Sequence, residues 1–180
     1  MANFQPAIEN TMLFEDPQRS GKVTKDAGGR TRFGVAEKFH PDLPAEFFSA
    51  ETDEALAMAE AVLEREYWEQ PGLAHIEDQG VANKLFDMAV NMGVHQAALY
   101  AQRAANAALE SSGAQPPSAA SRLDEDGVPG AKTIDIINSL DAAKYVELLR
   151  EFSAAHYRHI AGVNPEQAPN LEAWLRRAAA

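Results

Sequence analysis

The chain contains no cysteine, which excludes a disulfide framework, a thiolate zinc site and a cysteine nucleophile, and leaves stability to packing alone. It also lacks an apolar run long enough to cross a bilayer, and its opening residues MANFQPAIEN have neither the basic start nor the hydrophobic stretch of a secretory signal. The expectation is a monomer made in the cytoplasm, without stable membrane insertion. Positive charge is scarce: 16 Lys and Arg face 27 Asp and Glu, for a formal net charge of -11, which argues against broad binding to nucleic acid or anionic lipid. The basic group Arg19, Lys22, Lys25, Arg30 and Arg32 runs against that sign and reads as a solvated loop. The histidines, His40, His75, His95, His156 and His159, are scattered. His156 and His159 share a helix face, yet no third ligand accompanies them and no H-E-x-x-H motif occurs, so neither a metal nor a cofactor is expected. No phosphate-cradling glycine loop or G-x-S-x-G elbow is present either.

What the chain does have is 180 residues with 46% hydrophobic content, enough for one compact domain or two closely packed lobes. Strand patterning is sparse and helical spacing dominates. Phe4, Ala7, Ile8, Met12 and Phe14 predict an amphipathic helix over 4–15, with Pro6 tolerated in its first turn. Pro17 through Gly34 reads as a long irregular segment or a short β-hairpin. A second helix is expected over 52–67 with Thr52 as its N-cap, stopped by Pro71 and Gly72. The strongest segment, 79–110, is nearly continuously apolar along one face and is broken or kinked near Gly93. Residues 111–121 have the composition of a flexible connection. Further helices are expected over 129–140, over 141–160, and from Pro165 or Pro169 to Arg177. The fold class is mainly α, with a short β-hairpin or irregular active-site loop.

Chemistry points to the first boundary between helix and loop. Glu15 closes an apolar helix and faces a glycine-rich loop containing Asp26 and Thr31. Glycosidic bond cleavage needs one carboxyl to protonate the leaving oxygen and a second to activate water or stabilise the oxocarbenium-like state. Flanked by Leu13 and Phe14 at the negative end of a helix, Glu15 suits the acid. Asp26, among backbone donors and near Lys25, suits the carboxylate, and Thr31 suits water placement. The plain alternative is that Glu15 and Asp16 merely decorate a helix end and the glycines merely make a turn.

The run FQPAIENTMLFEDP followed by DAGGRTRFGVAEKF resembles the start of the glycoside hydrolase 108 family, in which an apolar helix and a catalytic Glu precede D-x-G-G-x-T-x-[YF]-G-[IV]. The matching positions are Glu15, Asp26, Gly28, Gly29, Thr31, Phe33, Gly34 and Val35. The Glu-Asp-Thr order is also similar to the catalytic trio of phage-type lysozymes. Asp16, Pro17 and Gln18 stand where the family has Gly-Gly-Tyr, and the loop is slightly longer. Glu9 is the runner-up for the acid. Downstream, Tyr67-Trp68, Val81-Ala82, Leu85-Phe86-Asp87, Ala89-Val90-Asn91, Gly93 and Gln102-Arg103-Ala104 follow the same family order. So do Asp126-Gly127-Val128-Pro129-Gly130 with Thr133, and Ala173-Trp174-Leu175 with Arg177-Ala178.

The resemblance implies a lysozyme-like helical fold, with a catalytic part over 1–90 and a helical peptidoglycan-binding part over 91–180, packed as one unit. It implies a muramidase that cleaves the β-1,4 bond between N-acetylmuramic acid and N-acetylglucosamine. Glu15 would be the acid, Asp26 and Thr31 would handle water, and peptidoglycan glycan strands would be the partner. Phe33, Tyr67, Trp68, Asp87 and Asn91 are candidate substrate contacts. Tyr67 and Trp68 equally suit core anchors, whereas Asp87 and Asn91, one helical turn apart, either satisfy buried polar groups or line the sugar cleft, with the cleft the favoured reading. The rival readings are a noncatalytic wall-binding or virion component and a lytic transglycosylase. In the muramidase reading the enzyme is a phage endolysin or a secretion-linked lysin, delivered to the wall after release or export.

Overall fold

The computed structural model of the chain describes residues 1–26, 29–112 and 122–180, with the backbone alone at residues 26 and 112. Helix α1 (Phe4–Glu15) begins where the Asn3 side chain accepts a hydrogen bond from Gln5 N–H, and it buries Ala7, Ile8, Thr11 and Met12 along one face. It ends at Asp16, whose N–H closes on Met12 O. A three-stranded antiparallel ribbon follows, made of β1 (Thr24–Asp26), β2 (Gly29–Arg32) and β3 (Val35–Ala36). The pairs Thr24 with Thr31, Lys25 with Arg30 and residue 26 with Gly29 set its register. Strand alternation therefore puts Thr31 on one face and Arg30 and Arg32 on the other.

Phe33 and Gly34 form the two-residue turn between β2 and β3, with φ of 49° and 77°. Positive φ at both positions is what a primed hairpin turn demands, and Gly34 meets that demand without strain whereas Phe33 does not. Buried Arg32 anchors the ribbon by donating from Nε to Gly21 O, and from Nη1 to Phe47 O and Ala50 O, each at 2.9 Å.

Helix α2 (Thr52–Leu63) runs directly into a π-helical turn over Glu64–Glu69. Its N-cap is Glu51, one residue before the expected Thr52, and it has no side-chain cap; Asp53 and Glu54 in the first turn complement the helix dipole instead. The apolar segment expected as one broken helix is two. Helix α3 (Gln79–Met92) is capped by the Asp78 side chain on Val81 N–H and stops at Gly93, whose φ of 87° leaves the helical region. Helix α4 (Val94–Ser112) then restarts the chain. The connection expected over 111–121 lies outside the described residues beyond its first two, as does Gly28. Helices α5 (Ala131–Ser139), α6 (Ala142–Val163) and α7 (Leu171–Ala179) complete the chain.

Helix α3 is the hub. It packs on α1, α4 and α6, and one cluster of buried residues runs from Ala7 through Phe86 to Leu149. The core is thus continuous across residue 90. The Asp126-Gly127 segment is clasped by α4: Gln102 donates to Asp126 Oδ1 (2.7 Å) and Val128 O (3.1 Å), and accepts from Gly127 N–H (2.9 Å). One turn later Asn106 donates to Leu123 O and accepts from Leu123 N–H, as a paired strand would. A Cβ at Gly127 would lie 2.4 Å from the His95 ring, so that close approach needs glycine.

Gln102 is buried, and its removal strands the Gly127 N–H. Gln102→Ala should cost about 1–3 kcal/mol and lower the thermal midpoint by about 2–4 °C per kcal/mol for a chain of this size. Calorimetry that finds an unchanged midpoint contradicts the clasp.

Candidate active site

Glu15 is delivered by the last turn of α1 to the tip of the β2–β3 hairpin. A Cβ built on Gly34 would sit 3.4 Å from Glu15 Cγ and 3.5 Å from its Oε2, so the turn lies directly against the carboxyl. Leu13 and Phe14, expected to desolvate Glu15, are exposed. The cover comes instead from the Gly34 turn and from Arg177 on α7, which donates from Nη1 to Glu15 Oε1 at 2.7 Å. Glu15 keeps 22% of its side chain accessible against 7% for Arg177. Among the described residues its second oxygen, Oε2, has no hydrogen-bond partner, and the side chain stays partly exposed.

Arg177 is the residue that site selection from the sequence missed. Its Nε donates to Asp87 Oδ1 at 2.9 Å, its guanidinium carbon lies 5.5 Å from the Phe14 ring centroid, and its Nη2 is buried with no hydrogen-bond partner among the described residues. One guanidinium therefore joins carboxylates from α1 and α3. Burial works against its charge, but Asp87 and Glu15 overcome that and hold it above its ordinary value. Burial raises the Asp87 carboxyl despite opposition from Arg177 and Lys84. The only sequence signal for Arg177 is its place in the closing Trp-Leu-x-Arg-Ala run, which says nothing about contact with residue 15.

Asp16 has a different task. Its carboxylate accepts from Gly21 N–H at 2.7 Å and from the Ser20 hydroxyl at 3.1 and 3.2 Å, drawing residues 16–21 into a tight turn. Burial opposes its charge, yet these donors hold it below the ordinary aspartate value. Asp16 is therefore committed to the loop. Glu9, the runner-up for the acid, is exposed and bonded to Gln5.

The other candidate residues separate into groups. Thr31 is half-buried on β2, and residue 26 ends β1 opposite Gly29. Phe33 is 3% accessible, turned under the hairpin and packed so closely on Gly21 that a Cβ there would meet its ring at 2.7 Å. Trp68 is buried, edge-on to Phe4 and Phe86 between α1 and α3. Tyr67 is half-buried, its hydroxyl 3.4 Å from His40 Nε2. Asp87 belongs to the Arg177 pair, and half-buried Asn91 accepts from the Tyr157 hydroxyl at 2.8 Å. Tyr157 in turn stacks on Trp174 of α7.

Residues 19–93 match the Glycosyl hydrolase 108 family. The match covers less than half of the chain, takes in the ribbon, Tyr67, Trp68, Asp87 and Asn91, and begins after Glu15. No curated protein matches the chain. The structure of Brucella abortus SagA is similar in fold: it is 19% identical, with a TM-score of 0.65 over 98% of this chain and 93% of SagA. The shared fold thus extends past the family match to α7. The expected class is borne out as a mainly helical, lysozyme-like fold with a small antiparallel ribbon.

Two outcomes follow from the ionic bridge. Arg177→Met leaves the buried Asp87 carboxylate without its guanidinium and should destabilise the chain by about 3–5 kcal/mol; denaturant titration showing under about 1 kcal/mol contradicts the bridge. Burial raises Asp87 above 3.8, so the folded chain holds that proton more tightly than the unfolded one. This group's contribution to stability is then greatest below the unfolded value and falls as pH climbs through the folded one. Wild-type stability relative to Asp87→Asn should decline as pH rises from the ordinary aspartate value of 3.8, and a difference that instead grows as pH rises refutes the assignment.

Proposed function

We propose that the protein is a glycoside hydrolase that cuts the glycan strands of peptidoglycan as a muramidase. The observation that carries this reading is the Glu15 carboxyl, gripped by Arg177 and seated against the hairpin tip of the very ribbon that the glycosyl hydrolase match covers. Glu15 gives its proton to the oxygen leaving the anomeric carbon of N-acetylmuramic acid. Water adds to that carbon from the other side of the ring, losing a proton to Asp26, while Thr31 orients it. The products are a new reducing end and a free hydroxyl on the departing N-acetylglucosamine.

Arg177 holds one oxygen of Glu15, so the other has a fixed direction when the sugar arrives. No cofactor takes part. No described helix is long and apolar enough to cross a membrane, and the work site in this reading is the cell wall, reached by phage release or a secretion machine. Residues 91–180 would bind the glycan beside the cleft. Direct attack by water inverts the anomeric centre and needs carboxyls roughly 6.5 to 9.5 Å apart.

Purified peptidoglycan digested with the protein should yield fragments with reducing muramic acid ends by mass spectrometry. Glu15→Gln, still folded by circular dichroism, should lose activity by about 100-fold or more. Anhydro-sugar ends would show a lytic transglycosylase instead. Binding without fragments in both proteins would show a wall-binding module.

A further inference from the structure

Helix α7 has nine residues and no side-chain cap at Asn170, so it is too short to hold its own geometry. Its last carbonyls lack intrahelical partners. Two of them, Arg177 O and Ala178 O, accept from Lys84 Nζ at 2.9 and 2.8 Å. Lys84 comes from the middle of α3, is 4% accessible, and lies three residues before Asp87, which holds Arg177 Nε. Helix α3 therefore grips Arg177 at two points, backbone and side chain.

We propose that Lys84 is a positioning residue: its ammonium, by fixing the end of α7, sets the direction in which Arg177 presents its guanidinium to Glu15. This rests on the hydrolase reading for its consequence in turnover, though not for its geometry. Packing alone does not call for an ammonium here, because a methionine fills similar space without the cost of burying a charge. That cost is visible: burial lowers the Lys84 ammonium to about 8, against the opposing pull of Asp87. What a methionine does not supply is two charge-assisted hydrogen bonds at the negative end of a helix. A polar cavity of about 130 Å³, lined by Asn10, Asn83, Lys84, Asp87 and Arg150, adjoins the side chain and gives a small amine a place to enter.

The test compares Lys84→Ala and Lys84→Met in the full chain, using turnover on peptidoglycan, the thermal midpoint and hydrogen exchange of the Arg177 Nε–H by NMR. Both variants should lose about tenfold in kcat with KM changed less than about twofold, and Arg177 Nε–H exchange should quicken in both. Ethylammonium should restore kcat to the alanine variant but not to the methionine variant, whose side chain fills the space, and ethanol should restore neither. Unchanged Nε–H exchange, wild-type kcat in the folded methionine variant, or equal rescue by ethanol overturns the proposal. If the wild type cleaves nothing, the hydrolase reading fails by itself. Arg177 exchange then decides the positioning role: quickened exchange sustains it and unchanged exchange ends it.

Discussion

A single guanidinium joins the two ends of this chain. Arg177, three residues from the C-terminus, holds Glu15 of the first helix and Asp87 of the central one. A buried cation is tolerable only where anions and hydrogen bonds replace its water, and two carboxylates supply that replacement. The requirement acts in both directions. Asp87 could not sit charged among the apolar residues of α3 without Arg177 and Lys84, and α7 has little other polar attachment to α3. The carboxyl at position 15 thereby gains an orientation that a helix end alone does not impose.

The second constraint is the ribbon. Its tip must approach Glu15 closely enough that a side chain at Gly34 would crowd the carboxyl, and its turn must take positive φ at two successive residues. Arg32 fixes the opposite face to backbone carbonyls of the segment before α2, so the ribbon is held from below by a buried cation and from the tip by close contact. Asp16 shapes the entry to the ribbon by binding Gly21 and Ser20. The departure from the family's Gly-Gly-Tyr pattern thus has a local structural use, the turn over residues 16–21.

The downstream half contributes geometry. Gln102 and Asn106, one turn apart on α4, substitute their amides for the backbone partners that residues 123–128 would otherwise lack. The Asp-Gly-Val-Pro-Gly run is accordingly a clasped turn leading into α5. With α3 packed on both α4 and α6, the first half is held by the second, and α7 returns from it to bring Arg177 to Glu15.

The helices were legible because burial of one face imposes a spacing on apolar residues. The strong stretches at 4–15 and 79–110, the break at Gly93 and the turn chemistry before Thr31 all stood out for that reason. The neighbourhood of Glu15 and the ribbon was legible too, since both lie within one local stretch of chain. Periodicity reports that a face is buried but not what it is buried against. It therefore left open whether Phe33 and Trp68 meet sugar or core, and it gave no hint that Asp87 faces a cation. Ion pairs between residues as far apart in sequence as 15 and 177 depend on how whole helices dock. Local sequence determined the elements and the candidate acid; only tertiary packing decided its partner, because a charge that must leave water takes whichever counter-charge the assembled core brings within reach.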